Sequence, residues 1–215
     1  MKPVFTKSAD RILRVFLVAV VLAAAAAIGL ASWLFHPRQV DVGYSPVQPV
    51  PYSHKLHAGD LGLDCRYCHS TVERAAMAAI PPTETCMNCH ERVRPQSAAL
   101  APVRESYASG KPIPWVRVHR LPDFVFFNHS AHINAGVSCV SCHGRVDQMI
   151  EVKQVEPLNM AWCLDCHRNP APKIRPRELV TNLGWTPDRD PVEIGRALVA
   201  RNQISPPTNC SGCHR

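Results

Sequence analysis

Five times the chain reads Cys-x-x-Cys-His: Cys65, Cys68, His69; Cys86, Cys89, His90; Cys139, Cys142, His143; Cys163, Cys166, His167; Cys210, Cys213, His214. This spacing is the attachment signature of c-type haem. Two thiols bond to the two vinyl-derived carbons along one side of a porphyrin, and the next residue sets an imidazole on the iron. All 10 cysteines are consumed. A disulfide framework, the default for a small exported chain with many cysteines, does not survive that spacing. A redox dithiol or half a zinc site explains one such motif, not five His-terminated copies with none left over. The expected cofactors are therefore five covalent haem c groups, with those five histidines as proximal iron ligands.

A chain of 215 residues is long enough for a sizeable aliphatic core, yet it holds 20 Pro, 10 Gly and only 7% aromatic residues. Long stretches between motifs have neither a helical nor a strand period. The expected fold is mostly irregular with short α-helices, porphyrins taking the place of the usual core, and it should not form without haem.

Val15 to Phe35 is 21 residues without a charge, enough at 1.5 Å per residue to cross a hydrocarbon layer of about 30 Å. It reads as one transmembrane helix, longer than the apolar region of a signal peptide. Lys2, Lys7, Arg11 and Arg14 precede it against Asp10 alone, and Trp33 and Phe35 stand near its far end. That pattern puts residues 1–14 in the cytoplasm and everything after His36 outside. The net charge of +7 would suit a nucleic-acid binder, but +3 of it lies ahead of the apolar segment. Two propionates on each of five haems would add roughly ten negative charges to the remainder. No nucleic-acid partner is expected.

Residues 36–53 are Pro- and Val-rich without a period and read as an extended strap. Beyond them the chain repeats itself. SHKLHAGDLGLDCRYCH then IPPTETCMNCH is echoed by NHSAHINAGVSCVSCH then PLNMAWCLDCH. Each copy is a two-haem module: residues 54–128 with a spacer, and residues 129–182. Residues 183–215 supply a helix and a fifth haem, ISPPTNCSGCH repeating only the second half of a module. Within the spacer, 97–109 is expected to form a short helix interrupted at Pro102 and stopped near Gly110. Asp190-Pro191-Val192-Glu193 reads as the start of another.

Six histidines remain: His36, His54, His57, His119, His129 and His132. Electron-transfer haems take a second axial ligand, usually His or Met. His54 with His57 and His129 with His132 recur at i, i+3 ahead of each module, so each pair can reach two different irons. One iron is left, for which His119 and Met160 are the candidates. His36 fits a membrane-surface position better than an iron, and Met77, Met87 and Met149 fit packing. Trp115, Trp162 and Trp185 suit stacking on porphyrins; Arg66, Arg145 and Arg168 are either propionate partners or solvated.

The order His-x-x-His followed by two Cys-x-x-Cys-His motifs resembles the class III multihaem cytochromes. The anchor together with DCRYCHSTVE, IPPTETCMNCH, GKPIPWVRVHRLPDFVFFNHSAH, VSCVSCHG and MAWCLDCHRNP resembles the pentahaem subunits of bacterial alternative complex III over nearly the whole chain. This resemblance implies bis-His haems packed into a wire, in a bacterial inner-membrane quinol:acceptor oxidoreductase. It also implies a polytopic quinol-oxidising subunit, an iron-sulfur protein and a monohaem cytochrome as partners, with a soluble cytochrome c or a terminal oxidase as acceptor.

Three functions compete: a relay subunit with no substrate chemistry, a stand-alone membrane quinol dehydrogenase feeding a periplasmic reductase, and a multihaem enzyme such as a nitrite reductase. Catalysis at iron needs an open position, whereas enough His and Met exist to close all five, and no Cys-x-x-Cys-Lys motif occurs. The relay ranks first and the enzyme last. His36 and Asp41 stand at a height suited to a quinol site, which keeps the second reading in play.

Overall fold

The computed structural model describes residues 6–35 and 41–214, so Lys2 and His36 lie outside the described residues. It divides into two units, residues 1–40 and 41–215.

The first unit is one helix, α1, Lys7–Leu34. The Thr6 side chain caps it by accepting from the Ala9 amide at 3.2 Å. α1 therefore begins well before the apolar stretch at Val15. Lys, Arg and Ala are good helix formers whatever their polarity, so loss of charge marks a membrane span and not a helix end. The apolar stretch within Ser8–Leu34 reaches a mean hydropathy of 2.6 over 18 residues, so α1 is long and apolar enough to cross a membrane.

In the second unit the strap does more than span distance. The Gly43 amide donates to the Gln154 carbonyl at 2.7 Å and the Gln154 amide to the Tyr44 carbonyl at 3.0 Å. The Gln48 side chain donates to the Val116 carbonyl and accepts from its amide, at 2.8 and 2.9 Å. An extended segment without a period thus satisfies its polar groups on two later parts of the chain.

Short helices follow: α2 Cys65–Cys68, α3 Thr83–His90, α4 Ala101–Ser109, α5 His129–Asn134, α6 Val140–His143, α7 Met160–Arg168, α8 Pro191–Arg201 and α9 Cys210–Cys213. The spacer helix appears as a tight turn, Ala98–Leu100, leading into α4. Pro102 falls in the first turn of α4, where its missing N–H has no helical partner to lose, so it starts the helix and does not interrupt it. Gly110 ends it at φ 68°, a conformation glycine adopts without strain. α8 is capped by Asp190, which accepts from the Val192 amide at 2.9 Å.

Among the described residues there is no β-strand, only two isolated bridges, Val125 to His214 and Val137 to Ile174. Gly136 precedes the second at φ +92°, and a Cβ there would meet the Arg175 carbonyl oxygen. The buried apolar residues are few, and one cluster of them joins Val72, Ile133 and Val180, with Ala78 and Cys139 packed against it. The chain exposes 15194 Å² at 23.8 kDa, where a close-packed protein of that mass would expose about 9,900 Å². Even allowing for the exposed α1, the polypeptide closes little core from its own side chains.

Candidate haem centres

Each Cys-x-x-Cys-His motif forms one helical turn. In three of them the histidine amide returns to the first cysteine carbonyl: His69 to Cys65 at 2.8 Å, His143 to Cys139 at 2.9 Å and His214 to Cys210 at 2.9 Å. The turn puts both thiols on one face with the imidazole one residue on. None of the ten cysteines is paired in a disulfide. Burial, then the neighbouring Cys166 and Cys163, pushes the Cys142 thiol up to about 12.

Six histidines present Nδ1 to a backbone carbonyl. They are His57 to Ser53 (2.9 Å), His69 to Ala79 (2.8 Å), His90 to Val93 (3.0 Å), His129 to Ala76 (2.9 Å), His132 to Asn128 (2.7 Å) and His167 to Pro207 (2.7 Å). A carbonyl only accepts, so Nδ1 carries the proton and Nε2 keeps a free lone pair. That is the tautomer and orientation a metal-binding imidazole needs. Burial, then His69 and His57, lowers His54 to about 4, and its Nδ1 is buried without a partner. Burial, then His119, lowers His143 to about 3. These rings are neutral at pH 7, as ligation requires.

Spacing between rings tests whether one iron fits between them. Two imidazoles on opposite sides of one metal, each nitrogen about 2.0 Å from it, bring their ring centres to about 6.2 Å. His57 and His90 stand 6.1 Å apart, His132 and His167 6.0 Å, and His129 and His143 6.5 Å with planes within 6° of parallel. His54 lies within electrostatic reach of His69. The two members of each His-x-x-His pair thus face different motifs, and the residues fit iron in a haem held by Cys-x-x-Cys-His.

The two candidates for a fifth distal ligand lie elsewhere. His119 Nε2 is 3.3 Å from His143 Nδ1, and Met160, the first residue of α7, is 66% exposed. The ring beside His214 is Phe124, 5.6 Å away. Arg66 and Arg145 are engaged by carboxylates: Arg66 with Asp64 at 2.8 Å and Arg145 with Asp147 at 2.6 Å. Trp185 lies under the Arg175 guanidinium at 4.9 Å.

Sequence reasoning missed an aromatic clamp. Tyr52 packs edge-on to His54 at 4.8 Å and stacks on His57 at 4.4 Å. Phe127 does the same to His129 at 4.8 Å and His132 at 4.6 Å. The signal was present: an aromatic residue two positions ahead of each His-x-x-His. Burial, then the nearby cysteines, raises the Tyr52 hydroxyl pKa.

The family described as cytochrome c7 and related cytochrome c matches residues 50–103 and 125–215. The chain belongs to that family. Covalent haem c and electron transfer come with membership in this cytochrome c7 group, and the unmatched interval falls on the spacer ahead of the second module. The menaquinone reductase multihaem cytochrome c subunit of Nitratidesulfovibrio vulgaris is 40% identical over 99 residues, 45% of this chain and 45% of that protein. The match therefore spans less than half of that relative's length.

Proposed function

We propose that the chain is a membrane-anchored relay of five haem c groups within a quinone-linked respiratory complex. The observation that carries this is the set of three imidazole pairs at 6.0, 6.1 and 6.5 Å. A closed pair leaves no coordination position for substrate, which suits electron transfer and not bond-making at iron. In this reading His69 pairs with His54, His90 with His57, His143 with His129 and His167 with His132. His119 and Met160 stay the candidates for the one iron these pairs leave over, with His119 lying beside His143 and Phe124 beside His214.

Bound haem c supplies a one-electron iron couple. The chain's own residues hold and orient it: thiols anchor one porphyrin edge, carbonyls fix the Nδ1 proton of six of the imidazoles, and Tyr52 and Phe127 lock the rings of the distal pairs. α1 would anchor the chain in a bacterial inner membrane, with residues 1–14 cytoplasmic and the modules 54–128, 129–182 and 183–215 periplasmic.

The finer reading is the pentahaem subunit of an alternative complex III, in which electrons leave quinol for cytochrome c or a terminal oxidase. The menaquinone reductase relative favours a second reading, in which electrons run towards menaquinone. The deciding experiment captures the subunit from membranes in mild detergent, identifies its companions and assays quinol:cytochrome c activity and menaquinone reduction on one sample. The first reading expects a polytopic quinol-binding subunit, an iron-sulfur subunit and quinol-dependent cytochrome c reduction. Menaquinone reduction alone gives the second, and a chain captured alone with quinol-dependent haem reduction is a stand-alone dehydrogenase.

A further inference from the structure

We infer that the five haem sites are threaded in space in the order second, first, third, fourth, fifth, and not in chain order, so that the motifs ending at His90 and His214 are the two ends of the wire. The inference rests on the five-haem reading above.

The adjacencies come from four separate contacts. Between the first and second motifs, the Asn88 side chain donates to the Tyr67 hydroxyl at 3.1 Å, each residue lying between the two cysteines of its own motif. Cys68 and Cys86 are electrostatic neighbours there. Between the first and third, two consecutive carbonyls serve both motifs: the Cys139 amide donates to Val180 at 3.4 Å and the Cys65 thiol to Thr181 at 4.0 Å. Cys65 and Cys139 thus approach the same short segment from two motifs. The third and fourth adjoin through α5, which carries both His129, 6.5 Å from His143, and His132, 6.0 Å from His167. The fourth and fifth adjoin through His167, whose Nδ1 donates to the Pro207 carbonyl at 2.7 Å, and through Cys163 beside Cys213.

The internal repeat explains why the order departs from the chain. Cys65 and Cys139 are equivalent residues of the two modules, so the modules meet through the same patch on each, as the partners of a two-fold dimer do. Equivalent first motifs then lie at the centre and equivalent second motifs outside. The half-module at the C-terminus extends one side only. Exposure agrees: Cys89 and Cys210 are exposed, whereas the cysteines of the first and third motifs are not. Along this path one electron moves per hop, the donor site being oxidised and the next reduced, with no bond made or broken.

The test is an experimental structure of the haem-loaded protein in its native complex, with iron-to-iron distances read along the chain. Thioether links identify every haem whatever its distal ligand, so an error in histidine pairing and an error in order are separately visible. Nearest-neighbour distances following second, first, third, fourth, fifth are expected; a second haem lying closer to the third than to the first overturns the order. A count other than five covalent haems by intact mass refutes the underlying reading instead. An independent measurement uses Cys210→Ala with Cys213→Ala and an EPR-monitored redox titration. Removing an end haem should shift the midpoint potential of one remaining haem, the fourth. Shifts in two or more overturn the assignment of an end.

Discussion

Asp64 shows how one carboxylate can hold a haem turn in place. It accepts from the Arg66 amide and Nε, both at 2.8 Å, and from the Thr181 hydroxyl at 2.9 Å. It thereby ties the start of the first motif to the segment shared with the third. The Arg66 hydrogen bond beside it holds its carboxyl at about 2, below the ordinary 3.8. Because the folded value is depressed, the stabilisation is present above pH 4 and is lost as pH falls towards 2. Asp64→Asn should lower the stability of the haem-loaded protein by about 0.5–1 kcal/mol at pH 7, a modest figure because the pair is partly solvated. Thermal midpoints of variant and parent should converge as pH drops from 4 to 2, and a gap that persists there would count against the ion pair. The aromatic clamp gives a second expectation. Phe127→Leu keeps an apolar side chain but removes the flat face against His129 and His132, for a loss of about 0.5–1.5 kcal/mol. The g-values of two low-spin haems should move in the EPR spectrum. Unchanged spectra would reduce Phe127 to filler.

Elements vary in how far local chemistry announces them. α8 was readable because its start is local: Asp190 caps, Pro191 presets φ, and Glu193 sits in the first turn. α1 was readable as a long apolar helix but not in its beginning, since helix propensity continues through charged residues. The His-x-x-His turns were readable by repetition, while the carbonyls of Ser53, Ala76 and Asn128 that accept from them were not, because any residue supplies a carbonyl. The same limit hid Gly195. In α8 it faces Ala171, and an added Cβ would strike the Ala171 carbonyl oxygen. Gly195→Ala should therefore push α8 off that turn at a cost of about 1–3 kcal/mol, even though alanine is the better helix former. Calorimetry of the holoprotein should show a lower melting point; an unchanged or raised one would mean the helix slides without penalty.

Across the whole molecule, the motifs told what the chain binds, and their order along the sequence left open which motif neighbours which. Cys65 and Cys139 come together only because the two modules pack through equivalent surfaces, a property of the folded repeat that no local pattern encodes. With so few buried side chains, the central haem must supply much of the third site's core. Cys139→Ala with Cys142→Ala should therefore reduce the subunit to trace levels in membranes by immunoblot, and normal accumulation would refute it. The carbonyls of Val180 and Thr181 that bind Cys139 and Cys65 carry one more consequence, for the timing of assembly. Thr181 follows Cys65 by 116 residues, so a chain emerging N-terminus first shows its first attachment site to the haem-loading machinery while that site still lacks its folded partner. The surroundings of Cys65 are therefore complete only once residues of the second module have joined them.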